Sequence, residues 1–213
     1  MIAGFGGELI SHAFVEQELL PAMGEGWSRD FQRGIGQWWR RVSRTLGPAS
    51  SVRSIQDVAV TPLLQLLGHP RPALAPHPLG LCGPLNSIPV ICLTVPWSVP
   101  VRTCWRAAVT SGAAVDADWA LISNGHSLRI VDCTRAWMRK GIEFDLGSMN
   151  TSPASLAALW LLANAAALST LRSYVLSCER LEQLQAAGPG RLLYAELRAN
   201  VALLRLLNME KPR

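Results

Sequence analysis

Residues 119–132 read Trp-Ala-Leu-Ile-Ser-Asn-Gly-His-Ser-Leu-Arg-Ile-Val-Asp, and residues 142–146 read Ile-Glu-Phe-Asp-Leu. Asn124-Gly125 is the strongest short turn signal in the chain, and an apolar run lies on each side of it. This pattern favours an antiparallel hairpin. The second segment is short, apolar and alternating, so it predicts a further strand that follows the hairpin.

Alternation along the hairpin sorts its side chains onto two faces. One face is predicted to carry the apolar residues Trp119, Leu121, Leu128 and Ile130. Arg129 then points to the opposite face with Ser127 and Val131. An arginine in that position fits contact with a phosphate or an acidic group, and it equally fits a salt bridge to Glu143.

Upstream of the hairpin, Val90–Val95 is a short apolar run bounded by prolines, which suits a buried strand. Residues 90–146 therefore predict a strand, a helix and a three-strand meander. The predicted strands are 90–95, 119–123, 127–132 and 142–146, and the predicted helix is 102–111. The other predicted helices are 8–23, 28–46, 53–67, 154–187 and 191–208. Residues 69–89 are rich in proline and predict irregular, polyproline-like chain that serves as a linker or mobile loop.

The composition indicates a folded protein with an ordinary core. Hydrophobic residues make up 49% of the 213 residues and charged residues 16%. The five cysteines are odd in number and form no CxxC pair, which favours buried free thiols in a reducing compartment. No signal peptide is evident, and the longest apolar stretch is about 13 residues, too short to cross a bilayer. We therefore expect a soluble cytoplasmic protein with no membrane partner.

Arginines supply most of the net charge of +5. One group, with Trp38 and Trp39 among its members, consists of Arg29, Arg33, Arg40, Arg41, Arg44 and Arg53, of which we expect Arg40, Arg41, Arg44 and Arg53 to contact DNA. A second group consists of Arg129, Arg135, Arg139 and Lys140. Basic residues interleaved with aromatic ones suit contact with a nucleic-acid backbone and its bases. A solvated helix face over buried tryptophans would give the same pattern, and GC-rich codon usage would give the same arginine excess.

Most catalytic chemistry has no matching motif in this chain. The sequence has no Walker motif, no GxSxG, no methyltransferase motif and no histidine or cysteine spacing typical of a metal site. A metal-dependent nuclease needs clustered carboxylates and a lysine, usually Asp on one strand and Glu-x-Lys on the next. The strand at 90–95 reads Cys92-Leu93-Thr94 where Glu-x-Lys is expected. The remaining weak candidates for catalytic acids are Asp57, Asp116 and Glu143.

Residues 119–132 and 143–146 together resemble the "W…TNG…LR…D…EFDL" segment of Eco57I-type (type IIG) restriction–modification proteins. Similar pieces lie at residues 47–53, at Pro96-Trp97 and at residues 105–109. The resemblance implies an α/β fold with a small PD-(D/E)xK nuclease-like sheet flanked by helices. It also implies a degenerate nuclease-like domain over 1–150 and a helical connector over 151–213 that packs on it.

Three functions are compatible with these features. The first is a non-catalytic DNA-binding or scaffolding module of a restriction–modification or phage-defence system. Its partners would be DNA and a separate methyltransferase or restriction subunit, and it would need no cofactor. The second is an endonuclease with a migrated active site that requires Mg²⁺. The third is a structural adaptor that makes no contact with DNA.

Overall fold

The computed structural model describes residues 2–23, 29–85, 89–149 and 152–186. They form a mixed α/β structure in which a seven-stranded sheet is flanked by helices. The strands are β1 (Phe5–Gly7), β2 (Ala75–His77), β3 (Gly80–Pro84), β4 (Val90–Thr94), β5 (Trp119–Ser123), β6 (Ser127–Asp132) and β7 (Gly141–Asp145). The predicted strands of the meander are therefore confirmed to within one residue at each end. The helix predicted over 191–208 lies outside the described residues.

The helices lie between the strands and, for the last three, after β7. They are α1 (His12–Phe14), α2 (Arg29–Thr45), α3 (Val52–Ile55), α4 (Thr61–Leu66), α5 (Trp105–Ala113), α6 (Leu146–Met149), α7 (Pro153–Ala163) and α8 (Ala165–Ala186). Two π-helical segments, Val15–Leu19 and Gln56–Val60, continue α1 and α3. The described residues also form three 3₁₀ turns: Leu20–Ala22 follows the first π-helical segment, Val101–Cys104 precedes α5, and Ala136–Met138 precedes β7.

The sheet order is β1-β7-β6-β5-β4-β3-β2. Among the strands described, β4 and β5 are the one parallel pair. They are joined by α5, as a parallel pair requires a crossover connection. The antiparallel pairing of β5 with β6 places Leu121 opposite Ile130.

The two faces of the sheet carry separate hydrophobic cores. The first and larger core contains the four alternating side chains predicted for one face of the hairpin, Trp119, Leu121, Leu128 and Ile130. The second core contains Val131 and packs under α5. The predicted division of the hairpin into two faces is confirmed, because a pairing slip of one residue would have exchanged these sets.

Helix α2 covers the first core with one apolar stripe. Phe31, Ile35, Trp38 and Val42 are buried at helical spacing. The indole Nε1 of Trp38 donates to the carbonyl of Ala59 at 2.8 Å, which satisfies the buried N–H group. Arginines on the other side of the helix consequently face solvent.

The prediction of irregular chain over residues 69–89 is wrong for its central part. Strands β2 and β3 form a hairpin there, and β3 pairs antiparallel with β4. Proline is tolerated because β2 is the outer strand of the sheet, so the absent N–H group of Pro76 is needed by no neighbour on that side. Pairing with the buried strand β4 thus outweighs the local signal.

The prediction of one continuous helix over 154–187 is also wrong. Helices α7 and α8 meet at Asn164 with a bend of 89°. The extended backbone of Asn164 ends α7, and its side-chain oxygen accepts from the backbone N–H of Ala167 at 2.8 Å, which caps α8. No single helix in the described residues is long and apolar enough to cross a membrane; α7 and α8 meet that test of length and composition as a bent pair.

Helices α7 and α8 share the first core with the sheet and α2. Leu159, Leu162, Leu171 and Val175 are fully buried in it. The imidazole Nε2 of His69, just after α4, lies 2.8 Å from the carbonyl of Ala163 at the end of α7. The described part of the predicted connector is therefore packed on the sheet-bearing region.

Candidate nucleic-acid interface

The position expected for a nuclease Glu-x-Lys lies inside the first core. Cys92 and Thr94 of β4 are both fully buried on the face of the sheet that bears the first core. The hydroxyl of Thr94 donates to Oε1 of Gln56, and Nε2 of Gln56 donates to the hydroxyl of Thr61 at 2.7 Å. Burial also raises the pKa of the Cys92 thiol to about 12, so this thiol stays neutral near pH 7. These side chains satisfy one another and leave this position closed to a substrate.

The three candidate acids lie in three separate places. Asp57 is exposed in the π-helical segment, and its carboxylate lies 4.0 Å from Arg71. Asp116 is exposed in the loop after α5, with a positive φ of 52°. Glu143 lies on β7, where it is engaged by two arginines. Within the described residues, no group of three or more His, Cys, Asp or Glu side chains could hold a metal ion.

Glu143 is the acceptor of a short arginine bridge on the α5 side of the sheet. Its Oε2 accepts from Arg102 Nε at 2.6 Å and from Arg129 Nη1 at 2.8 Å. The side chain of Arg129 is only 9% exposed. Of the two roles considered for Arg129, the structure has the salt bridge to Glu143. Asp145, the neighbouring acid on the same strand face, accepts from the backbone N–H groups of Gly147 and Ser148 and so caps α6.

Three predicted arginines lie side by side on the exposed face of α2. Arg40, Arg41 and Arg44 line an open surface depression together with Gln37 and Thr45. We call these three residues the α2 arginine surface. In the part of the chain that the structure describes, none of them forms an ion pair. Arg40 and Arg44 are one turn apart, where like charges repel, so this arrangement costs rather than contributes stability.

Arg53 is a fourth exposed arginine close in sequence to this surface. It lies in α3, which is separated from α2 by residues 46–51 and is capped by the side chain of Ser51. Arg53 too makes no ion pair with a described residue. It adds a positive charge on the side of the sheet that α2 covers.

A second basic site surrounds Trp105 at the start of α5. The guanidinium carbons of Arg106 and Arg139 lie 5.6 Å and 5.4 Å from the centre of the Trp105 ring, a distance typical of cation–π contact. Arg139 is exposed and has a positive φ of 53°, an uncommon conformation for arginine. Because α2 packs on the first core and Trp105 on the second, the two basic sites lie on opposite faces of the sheet.

Arg135, from the second predicted group, has a structural role. It donates to Asp132 at 2.9 Å and to both carboxylate oxygens of Glu179 at 3.0 Å, so it links β6 to α8. Arg172 of α8 also reaches Asp132, at 3.2 Å. Burial by itself would raise the pKa of Asp132, but hydrogen bonds from Arg135, Thr134 and Arg172 outweigh it and hold the pKa below its usual value.

Sequence reasoning missed Trp105 and Arg106 as members of a basic site. The available signal was an arginine directly after a tryptophan in a predicted helix. No sequence signal showed that Arg139, 33 residues further on, would lie over the same indole.

No family model, curated protein or solved structure matches this chain.

Proposed function

We propose that this chain is a non-catalytic, degenerate nuclease-like module that binds duplex DNA in a restriction–modification or phage-defence system. The observation that carries this proposal is the contrast between two sites. The position of the missing Glu-x-Lys is filled by the hydrogen-bonded side chains of Gln56, Thr61 and Thr94. The α2 arginine surface, in contrast, is open and carries positive charges with no acidic partner among the described residues.

The order of elements supports the nuclease-like class. A PD-(D/E)xK core has a small mixed sheet flanked by helices, and this chain has the antiparallel strands β2, β3 and β4, then α5, then the parallel strand β5. Strand β3 reads Gly-Leu-Cys-Gly-Pro and strand β4 reads Val-Ile-Cys-Leu-Thr. Neither holds the acid or the lysine that such a nuclease uses to bind its cation and orient water.

The charge distribution supports contact with DNA. Phosphate contacts supply most of the sequence-independent affinity for DNA, and arginine guanidinium groups suit them well. Arg40, Arg41, Arg44 and Arg53 are all exposed. Since the module lacks catalytic groups on β3 and β4, it would act with a separate methyltransferase or restriction subunit, in the cytoplasm and without a bound cofactor.

Salt-dependent binding to a labelled duplex tests the proposal. Each phosphate neutralised contributes about −0.9 to the slope of log affinity against log salt, so four arginines predict a slope of about −3 to −4. Each single substitution Arg40→Ala, Arg41→Ala or Arg44→Ala should reduce that slope by about one. Fluorescence anisotropy at several salt concentrations measures it.

Arg33→Ala is the matched control on the same helix. Arg33 is exposed but already pairs with Asp30 at 2.6 Å, so its removal changes the net charge equally without removing a free guanidinium. The proposal expects a much smaller change in slope for this variant. Absence of duplex binding even at low salt would remove DNA from the proposal and favour an adaptor role. If Arg33→Ala reduced the salt slope as much as Arg40→Ala does, net charge alone would explain the binding, and the α2 arginine surface would have no special role.

A further inference from the structure

Trp137 is the most exposed large hydrophobic side chain among the described residues. Its exposed fraction is 75%, compared with 53% for Leu176 and Val115. It lies in the 3₁₀ turn between β6 and β7. A single exposed apolar residue needs no explanation by itself. Two features of the surroundings of Trp137, a braced backbone and positive charge, indicate a binding role.

The turn that carries Trp137 is held at both ends. On one side, Asp132 and Glu179 bind the guanidinium of Arg135. The backbone carbonyl of Arg135 also accepts from the N–H of Met138 at 3.0 Å. On the other side, the carbonyl of Arg139 accepts from Arg129 Nη2 at 3.5 Å. The guanidinium of Arg139 lies over Trp105. The indole of Trp137 is therefore displayed by a braced backbone, so little conformational freedom is lost when a ligand covers it.

The charge around this turn is positive. Arg106, Arg139 and Lys140 form no ion pair with any described residue. The nearby acids Asp132 and Glu143 are each already bound by two arginines. A bound ligand has to complement both this positive charge and the exposed indole. A ligand that alternates phosphates with flat unsaturated rings satisfies both.

We propose that Trp137 is a stacking platform for an unpaired base of a single-stranded nucleic acid, with Arg139 and Arg106 contacting the flanking phosphates. The class of ligand rests on the proposed function, but the surface is different, since Arg106 and Arg139 lie over Trp105 at the second core whereas α2 covers the first. Base stacking on one exposed aromatic side chain is tolerant of sequence and strongly affects affinity. The module thus holds duplex on one face and a separated strand on the other.

The test measures binding of the full chain to two labelled probes, an oligothymidylate strand and a duplex, each about 20 nucleotides long, a length that covers the usual site size. Trp137→Ala should weaken binding to the single strand by about tenfold or more, as expected for loss of one stacked base. Trp137→Phe should restore most of the affinity. Leu176→Ala, which removes an exposed apolar side chain from α8, should leave it unchanged.

The outcomes separate this inference from the proposed function. If Trp137→Ala binds the single strand like the original chain, or weakens duplex binding equally, the platform is refuted while duplex binding by the α2 arginine surface still stands. If Trp137→Ala loses a co-purifying protein but keeps its single-strand affinity, the indole anchors a protein and the inference is wrong. If the original chain binds neither probe, both proposals fail. Single-strand binding without duplex binding supports the platform and overturns the duplex contact.

Discussion

Asn124→Ala should destabilise the fold by about 3 kcal/mol, since the side chain holds together two loops. Asn124 is only 2% exposed. Its oxygen accepts from the backbone N–H groups of His126 and Ser127 at 3.3 and 2.9 Å. Its Nδ2 donates to the carbonyls of Trp97 and Val99 at 3.3 and 3.0 Å. The amide thus joins the β5–β6 turn to the loop that leads into α5.

The magnitude follows from what each group loses. A buried hydrogen bond contributes about 1 kcal/mol net, and a buried group left without a partner costs more. The carbonyl of Trp97 keeps a second partner in the imidazole of His126, 3.1 Å away, whereas the carbonyl of Val99 loses the amide. Two strong and two longer bonds therefore sum to about 3 kcal/mol, which corresponds to a fall in melting temperature of roughly 6–12 °C for a chain of this size.

Urea unfolding monitored by circular dichroism measures the loss. The midpoint should fall while the dependence on denaturant stays the same, because the native surface is little changed. Ser169→Ala is a suitable control, since it removes an exposed hydroxyl that donates to the carbonyl of Ala166 within its own helix, and we expect a change within about 0.5 kcal/mol. A loss below about 1 kcal/mol for Asn124→Ala would refute the reasoning. The loop would then be held mainly by the contact between Trp97 and His126, whose ring centres are 4.9 Å apart.

Three further predictions concern other parts of the fold. Asp116 has a positive φ just after α5, a position that glycine usually occupies, and the next residue, Ala117, donates its N–H to the carbonyl of Gly112 at 2.9 Å. Asp116→Gly should therefore raise the free energy of unfolding by roughly 0.5–1 kcal/mol, and a decrease in the urea midpoint would contradict this. Burial lowers the pKa of His69 below its usual value of 6.5, so the folded state favours the neutral imidazole. The contribution of His69 to stability is therefore complete above about pH 6.5 and is lost as the pH falls through the pKa of the folded state. His69→Gln should flatten this part of the stability–pH curve, and an unchanged slope would show that another group is responsible. Incubation with plasmid and Mg²⁺ or Mn²⁺ should give no cleavage; cleavage that disappears in Glu143→Gln, with the urea midpoint kept, would favour the nuclease with a migrated active site.

The β5–β6 hairpin could be predicted from sequence because its signals are local. Asn124-Gly125 marks the turn, and the alternation of apolar residues beside it defines both faces. The hairpin of β2 and β3 could not be predicted in this way, because it depends on pairing with β4. The bend at Asn164 was hidden by an alanine- and leucine-rich composition that reads as one helix.

The candidate site was predictable only where helical spacing determines exposure. Arg40 and Arg44 follow from the apolar stripe of α2. In contrast, Arg129 is buried and Arg139 is exposed, although both belong to the same basic group in the sequence. The register between β6 and β7, which sets Arg129 opposite Glu143, decides the difference. The register of the strands and the exposure of Trp137 depend on contacts between distant segments, which composition and periodicity do not encode.

The pairing of β1 with β7 has a consequence for how the chain folds. Phe5 lies opposite Phe144, so one edge of the sheet joins residues that are far apart in the chain. Closing so long a loop is entropically unfavourable until most of the sheet exists to receive the incoming strand. During synthesis, β1 leaves the ribosome well before β7 and is thus among the last of the described strands to find its partner. A shortened chain that ends before β7 would leave Phe5 without that strand and should be prone to aggregation.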